Sequence, residues 1–397
     1  MEQRELVIIG AGPAGLTAAV YGKRAGLDVL VLEKGKAGGQ ILITSEIENW
    51  PGTISASGVG LADSFRAHAE HFKAEFRTAT VKELRPAGGR TVVVTDQGEI
   101  EAKALIIATG ANFRKQGCPG EKEFTGKGVS YCAVCDAAFF EELEVAVIGG
   151  GNTAVEEACY LTQFAEKVYI VHRRDQFRAD KLVAERALKN PKIVPLWDSV
   201  LEAIEGDGLV ERMVLKNVKN GEKNVVAVNG VFIFIGTLPN AAFLSGVCET
   251  TEQGWIITDA DMRTSTPGIF AAGNVVHVHD LVDFVTGESQ RAGAAAARFA
   301  RQGPAPEGRV LEVENGASVT YTVPGKIRLA NVDKAVEIFF RVNRVCGNSV
   351  IRVTAGSEQL AAYKREHLAP GEMERISVPR ALLEKADGCI TVSVEEA

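Results

Sequence analysis

Long apolar runs are missing from this 397-residue chain. No stretch approaches the ~20 residues of a membrane-spanning helix, so no span is expected. A surplus of positive charge is missing too. The formal net charge is −7, whereas nucleic acid rewards clustered Lys and Arg, so nucleic acid is excluded as the main partner. The opening "MEQRELVIIGAG" lacks the basic leader, longer apolar stretch and cleavage site of a signal peptide, and a cytoplasmic location is expected. Cysteines number seven, too few and too scattered for a disulfide framework in a reducing compartment. Cys118, Cys159, Cys248, Cys346 and Cys389 stand apart and are expected to act as small apolar side chains. Only Cys132 and Cys135 are close, and no second C-x-x-C exists to complete a structural zinc site.

Apolar material is plentiful, at 46% of residues, and the length suits two or three domains. The first segment, "ELVIIGAGPAGLTAAVYGKRAGLDVLVLEK", reads as strand, tight turn, helix and strand. Gly10, Gly12 and Gly15 hold the G-x-G-x-x-G positions. The first makes the turn, the second lets backbone approach a pyrophosphate, and the third permits close helix packing. The helix N-terminus favours negative charge. Glu33 ends the second strand, an acceptor placed for ribose hydroxyls.

The unit then returns. "VAVIGGGNTAVEEACYLTQFAEKVYIVHRR" aligns with the first copy so that Gly149 matches Gly10 and His172 matches Glu33 at the same spacing. Gly151 takes the second glycine position and Ala154 the third, which the motif tolerates. Where the first copy has a carboxylate, the second has "HRRDQFR", with Arg173, Arg174 and Arg178. A carboxylate repels a 2′-phosphate and guanidinium groups bind it, so the second site should prefer NADPH and the first suits FAD. Two further strands, "KALIIATGA" ending at Gly110 and "GIFAAGN" ending at Asn274, return the chain to the first domain. The second domain is thus an insertion.

Cys132 and Cys135 lie in that insertion, ahead of its first strand and directly before Asp136. A dithiol beside a flavin takes up electrons as a reversible disulfide, and an adjacent acid handles the proton. Two buried structural thiols are the alternative.

At this point the chain resembles the low-molecular-weight NADPH-dependent thioredoxin reductases over roughly residues 1–303. The resemblance rests on "GAGPAGLTAA", "GGQI", "ENWPG", "ATGA", "GVSYCAVCDAAF", "GGGNTAVEEA", "HRRDQFRADK", "FIFIGTLPN" and "TSTPGIFAAGN", in the family's order. It implies two Rossmann-like domains of α/β class, FAD-binding at 1–116 with 245–303 and NADPH-binding at 117–244, which rotate against each other. It implies that Cys132 and Cys135 form the redox disulfide, with Asp136 as proton donor. FAD contacts are implied for Gly12, Pro13, Ala14, Gly39, Gln40, Asn49, Val81, Thr109 and Gly273. NADPH contacts are implied for Asn152, Thr153, His172, Arg173, Arg174, Arg178, Ile235 and Gly236. A homodimer and a thioredoxin-like partner follow from the same likeness.

Departures from the family pattern cluster in two places. Ala137 stands where the family usually has glycine. Asn274 replaces an aspartate that bonds a ribitol hydroxyl of FAD; the contact is expected to survive through the amide oxygen, weakened by about 1 kcal/mol. In "VVHVHDLVDFVTGESQRAGAAAA" an Arg-Gln pair near the flavin is absent, and Phe284 and Val285 stand in its place. His277 and His279, alternating as on a strand face and followed by Asp280, lack further ligands, so no metal is expected. This segment is similar to one in flavoproteins that accompany glycerol-3-phosphate dehydrogenase-like enzymes. That likeness motivates a second reading, an NAD(P)H-dependent electron-transfer subunit; a redox sensor without turnover is a third.

After the linker "RQGPAPEGR" the residues 304–397 read as β structure. In "AVEIFFRVN" Val336, Ile338, Phe340 and Val342 alternate with Glu337, Phe339, Arg341 and Asn343, and "NSVIRVTAG", "MERISVP" and "CITVSVEE" repeat the period. A small β-sandwich-like domain without catalytic residues is expected.

Overall fold

The computed structural model describes residues 1–43, 47, 50–244, 246–279, 281–304, 308–370 and 372–396, with the side chains of 134 and 135 outside the description. Among the described residues no helix is long and apolar enough to cross a membrane.

The first sheet has seven strands. Its centre is β1 (Glu2–Ile9), paired in parallel with β2 (Val29–Glu33) on one side and Gly98–Ile107 on the other. Leu6, Val7 and Ile8 are completely buried. Strands covered on both faces read as continuous apolar runs, which is why "LVII" lacks alternation. Helix α1 (Pro13–Arg24) follows the turn after β1. Strand Ile269–Ala271 pairs in parallel with Gly98–Ile107, returning the chain to this sheet after the second domain.

The second sheet has five strands, all parallel. At its heart β3 (Glu144–Ile148), α2 (Asn152–Leu161) and β4 (Lys167–Val171) repeat the first unit. An antiparallel meander, Ser199–Glu205, Arg212–Asn217 and Lys223–Ala227, packs beside it over a core with Leu201, Met213 and Val231. Ala111–Phe113 pairs with Thr237–Pro239, so the chain enters and leaves this domain through one two-stranded ladder.

Helix α3 (Val282–Gln302) packs on α1, where the missing side chain of Gly293 lets it approach Ala18 and Tyr21. Beyond it lies the β-rich part: a five-stranded and a three-stranded sheet closing on one core that includes Ile338, Phe340, Ile351, Val353 and Ile376. The strand read from "AVEIFFRVN" is β5 (Ala335–Val342). Its second face is not solvated: Phe339 is buried, 6.1 Å ring to ring from His277 and 6.0 Å from Phe284. The β-rich part therefore packs on the very segment in which the sequence departs from the family pattern.

Candidate active site and nucleotide sites

The first unit opens onto a cavity of about 740 Å3. Gly10, Gly12, Pro13, Ala14 and Glu33 line it from one side, and Gly39, Gln40, Thr109, Gly110 and Asn274 from others. Gly10 has φ 103, and a Cβ there would run into the Ala108 carbonyl oxygen. Gly39, at φ 61, would bring a Cβ to 3.0 Å from Gly12 Cα, so these two glycines keep a cradle open that side chains would fill. Such a cradle, with the Glu33 carboxylate at its far side, fits the ADP half of FAD. Glu33 Oε2 accepts the Ala11 N–H at 2.8 Å and Oε1 that of Gly35 at 3.0 Å, which fixes the carboxylate. Gly15 and Gly273 lie behind the wall, and Val81, at the start of strand Val81–Ala87, does not line the cavity. Asn49 lies outside the described residues. The motifs did not point to Lys34, Lys36 and Asn240, which line it as well.

A second cavity of about 670 Å3 opens at the N-terminus of α2. Gly151, Asn152, Thr153 and Ala154 line it with Arg174, Arg178 and Gly236. Asn152 Oδ1 accepts the Asp180 N–H at 2.8 Å. Partial burial, then repulsion from Arg174 and Arg173, push the Arg178 pKa below its ordinary range. Converging guanidinium groups without a counter-charge suit a phosphate. His172 sits elsewhere than expected: it is buried beneath Gly150, whose missing Cβ leaves room for the imidazole. Burial first, then Arg178, Arg174 and Arg173, lower its pKa to about 4, which keeps the imidazole neutral. Gly149, Arg173 and Ile235 also do not line the cavity. The opposite wall comes from Trp255, His277 and the β-rich part, through Tyr321, Arg341 and Asn343.

Cys132 is disulfide-bonded and half-buried, just ahead of the short helix Ala133–Asp136. Its N–H donates to Ser130 Oγ at 3.0 Å, and that hydroxyl donates back to the Cys132 carbonyl at 3.1 Å. The Cys135 side chain lies outside the described residues; Asp136 ends the helix half-buried. Neither Cys132 nor Asp136 lines either cavity. The other five cysteines are free. Glu157, on α2, is a group that sequence reasoning missed. It accepts the Ala133 N–H, and burial, then the nearby Glu156 charge, raise its pKa to about 7.

Residues 4–290 match the model of the pyridine nucleotide-disulphide oxidoreductase family. Thioredoxin reductase of Peptoclostridium litorale is 48% identical over 298 residues, 73% of this chain and 94% of that one. The chain belongs to the thioredoxin reductase family.

Among solved structures, Lactococcus lactis thioredoxin reductase in its FR conformation superposes with TM-score 0.73 at 44% identity, covering 75% of this chain and 99% of that one. The Streptococcus pyogenes thioredoxin reductase has the same 44% identity and covers 75% of this chain and 98% of that one, yet scores 0.53. The chain is accordingly an FAD-containing, NADPH-dependent disulfide reductase. About a quarter of it, including the β-rich part, lies outside these matches.

Several expectations for this segment need correction. Asn274 does not offer its oxygen to the cavity: Oδ1 accepts the His279 backbone N–H at 3.2 Å, and Nδ2 donates to Gln40 Oε1 at 3.0 Å. Phe284 and Val285 do not meet the same surroundings. Val285 lines the first cavity, whereas Phe284, one residue earlier on α3, packs against Phe339. Nor do His277 and His279 share a strand face. They sit in a loop before α3 with ring centroids 4.1 Å apart and share Glu288 as a partner; Asp280 lies outside the described residues.

Proposed function

We propose that Cys132 and Cys135 form the redox-active disulfide through which electrons from NADPH leave the protein, and that the acceptor is a thioredoxin-like disulfide protein. The observation that carries this reading is Cys132 held in a disulfide at the head of a short helix, in the domain whose glycine turn lines the second cavity. The net reaction converts NADPH, a proton and a partner disulfide into NADP+ and a partner dithiol. FAD, held in the first cavity, would supply the redox chemistry that links nicotinamide to disulfide. Once reduced, the Cys132 thiolate attacks one sulfur of the partner, and the Cys135 thiolate then resolves the mixed disulfide. Asp136, at the end of the same helix, donates the proton that the leaving thiolate needs.

Gly12, Pro13, Ala14, Gly39, Gln40 and Thr109 would hold FAD, and Asn152, Thr153, Arg174 and Arg178 the NADP half. The functional bodies would be 1–116 with 245–303, 117–244 and 304–397, with the Ala111–Phe113 and Thr237–Pro239 ladder as hinge. Turnover requires that hinge to move, because Cys132 does not line the first cavity in this arrangement. Phe139, 78% exposed beside the redox helix, offers an apolar contact to the partner. A cytoplasmic homodimer agrees with the family habit. The electron-transfer-subunit reading is not favoured, since the matched relatives are thioredoxin reductases.

Anaerobic NADPH titration tests the proposal. Wild type should take up one more electron pair per subunit than Cys135→Ser. Equal uptake, or undiminished reduction of thioredoxin by the variant, rules it out.

A further inference from the structure

A chain of side chains runs from the buried end of α3 to the flavin cavity. Glu288 Oε1 accepts the Gly273 N–H at 2.6 Å, and Oε2 lies 3.0 Å from His277 Nε2 and 3.3 Å from His279 Nε2. The other nitrogen of His279, Nδ1, lies 3.3 Å from Asn274 Oδ1. That oxygen is identified by its second partner, the His279 backbone N–H, which can only donate. Asn274 Nδ2 then must face Gln40 Oε1, and Gln40 Nε2 the Ala111 carbonyl at 2.7 Å. Every polarity in the chain is thus fixed. His279 stands between two oxygen acceptors, and only an imidazolium, with hydrogen on both nitrogens, satisfies both.

Charges around the pair agree. Burial alone would raise the Glu288 pKa, but the His279 charge and the N–H groups of His277 and His279 hold it well below the usual range. His277, lowered to about 4 by burial and then by the His279 charge, stays neutral. Arg341 adds a further positive charge felt by His277. Both the His279 and Glu288 side chains are only 2% exposed; His279 lines the cavity beside Asn274 and Gln40, and Glu288 does not.

We propose that the His279–Glu288 ion pair is a positioning unit for the flavin pocket, turning Asn274 so that the cavity meets an amide N–H donor. The negative charge of Glu288, which does not line the cavity, is neutralised by His279, which does. Bound FAD would then meet a hydrogen-bond donor at this point of the wall. The proposal rests on FAD being the cofactor, and wild-type protein purified without flavin would overturn that assignment rather than the device.

A double-mutant cycle tests it, reading FAD dissociation constants by fluorescence titration and the flavin midpoint potential, with far-UV circular dichroism confirming the fold. Asn274→Asp should weaken FAD binding roughly tenfold, because two carboxylates must then share one imidazolium. Glu288→Gln in the same chain should recover most of that loss. His279→Gln, which keeps an N–H for Asn274, should disturb the potential less than His279→Leu, and this pair serves if Asn274→Asp does not fold. Tighter or unchanged FAD binding by Asn274→Asp, strictly additive effects with Glu288→Gln, or equal potentials for the two His279 variants would overturn the proposal. So would stoichiometric metal in the purified protein, since the ligand atoms of His277, His279 and Glu288 all lie within 4.8 Å of one another.

Discussion

Arg328 places its Nε 2.9 Å from Asp259 Oδ2, and so ties the β-rich part to the body that holds the flavin cavity. Asp259 is buried, and its other oxygen accepts the N–H groups of Asp261 and Arg263, each at 2.9 Å. Beside this pair the Gly325 N–H reaches the Thr258 carbonyl, and Lys326 pairs with Glu249. Arg328→Ala strands a buried carboxylate. About 1–3 kcal/mol should be lost, less than for a fully buried pair because Arg328 is one-third exposed. Burial already raises the Asp259 pKa. The penalty should therefore be largest at neutral pH and shrink in acid as the carboxyl takes up a proton, which urea unfolding at two pH values checks.

Choice of nicotinamide nucleotide follows from the arginines of the second cavity. Arg178 and Arg174 line it, whereas Arg173 does not. A guanidinium–phosphate contact is a charge-assisted bond, so Arg178→Ala should lower kcat/KM for NADPH roughly tenfold to a hundredfold. NADH, lacking the 2′-phosphate, should be nearly unaffected. Arg173→Ala should change the NADPH/NADH ratio far less. Steady-state kinetics with both nucleotides decides it.

Glycines of the first turn should fail in two different ways. A Cβ on Gly15 would collide with the Gly10 carbonyl oxygen, so Gly15→Ala should lower the thermal midpoint even of the flavin-free protein. A Cβ on Gly12 meets nothing closer than Gly39 Cα at 3.7 Å. Gly12→Ala should leave the flavin-free fold intact and weaken FAD retention, because the methyl group fills the cradle. Thermal melts with and without FAD separate the two.

Such glycines explain why so much of the nucleotide machinery was legible. A backbone that must turn at Gly10 or come close at Gly12 restricts residue type at fixed spacing, and the spacing survives in the chain. The β-strands were legible for a similar reason, since alternation in Val336, Ile338, Phe340 and Val342 reports one buried face. It cannot report a second body pressed on the other face, so Phe339 and Arg341 read as outward. Glu288 was missed because it meets His279 only once α3 folds back on the preceding loop. His172 occupies the register of Glu33 but not its role: register fixes where a side chain starts, and the missing Cβ of Gly150 decides where it ends.

The short helix Ala133–Asp136 rests on a carboxyl whose pKa is raised toward neutrality. Glu157 accepts the Ala133 N–H, its Oε2 is buried without a partner among the described residues, and its pKa is about 7 against an ordinary 4.5. A carboxyl with a raised folded pKa favours the folded state fully below its unfolded pKa. That contribution is lost as pH rises through the folded value. Glu157→Gln, which stays neutral, should therefore match wild type near pH 5 and become the more stable protein by pH 8. The difference has an upper bound of about 3 kcal/mol. Ionised Glu157 also places a negative charge beneath the helix that follows Cys132, which opposes thiolate formation. The pH profile of dithiol alkylation after reduction should accordingly shift to lower pH in Glu157→Gln. Identical stability at both pH values, or an alkylation profile that does not move, would show that Glu157 has no such influence.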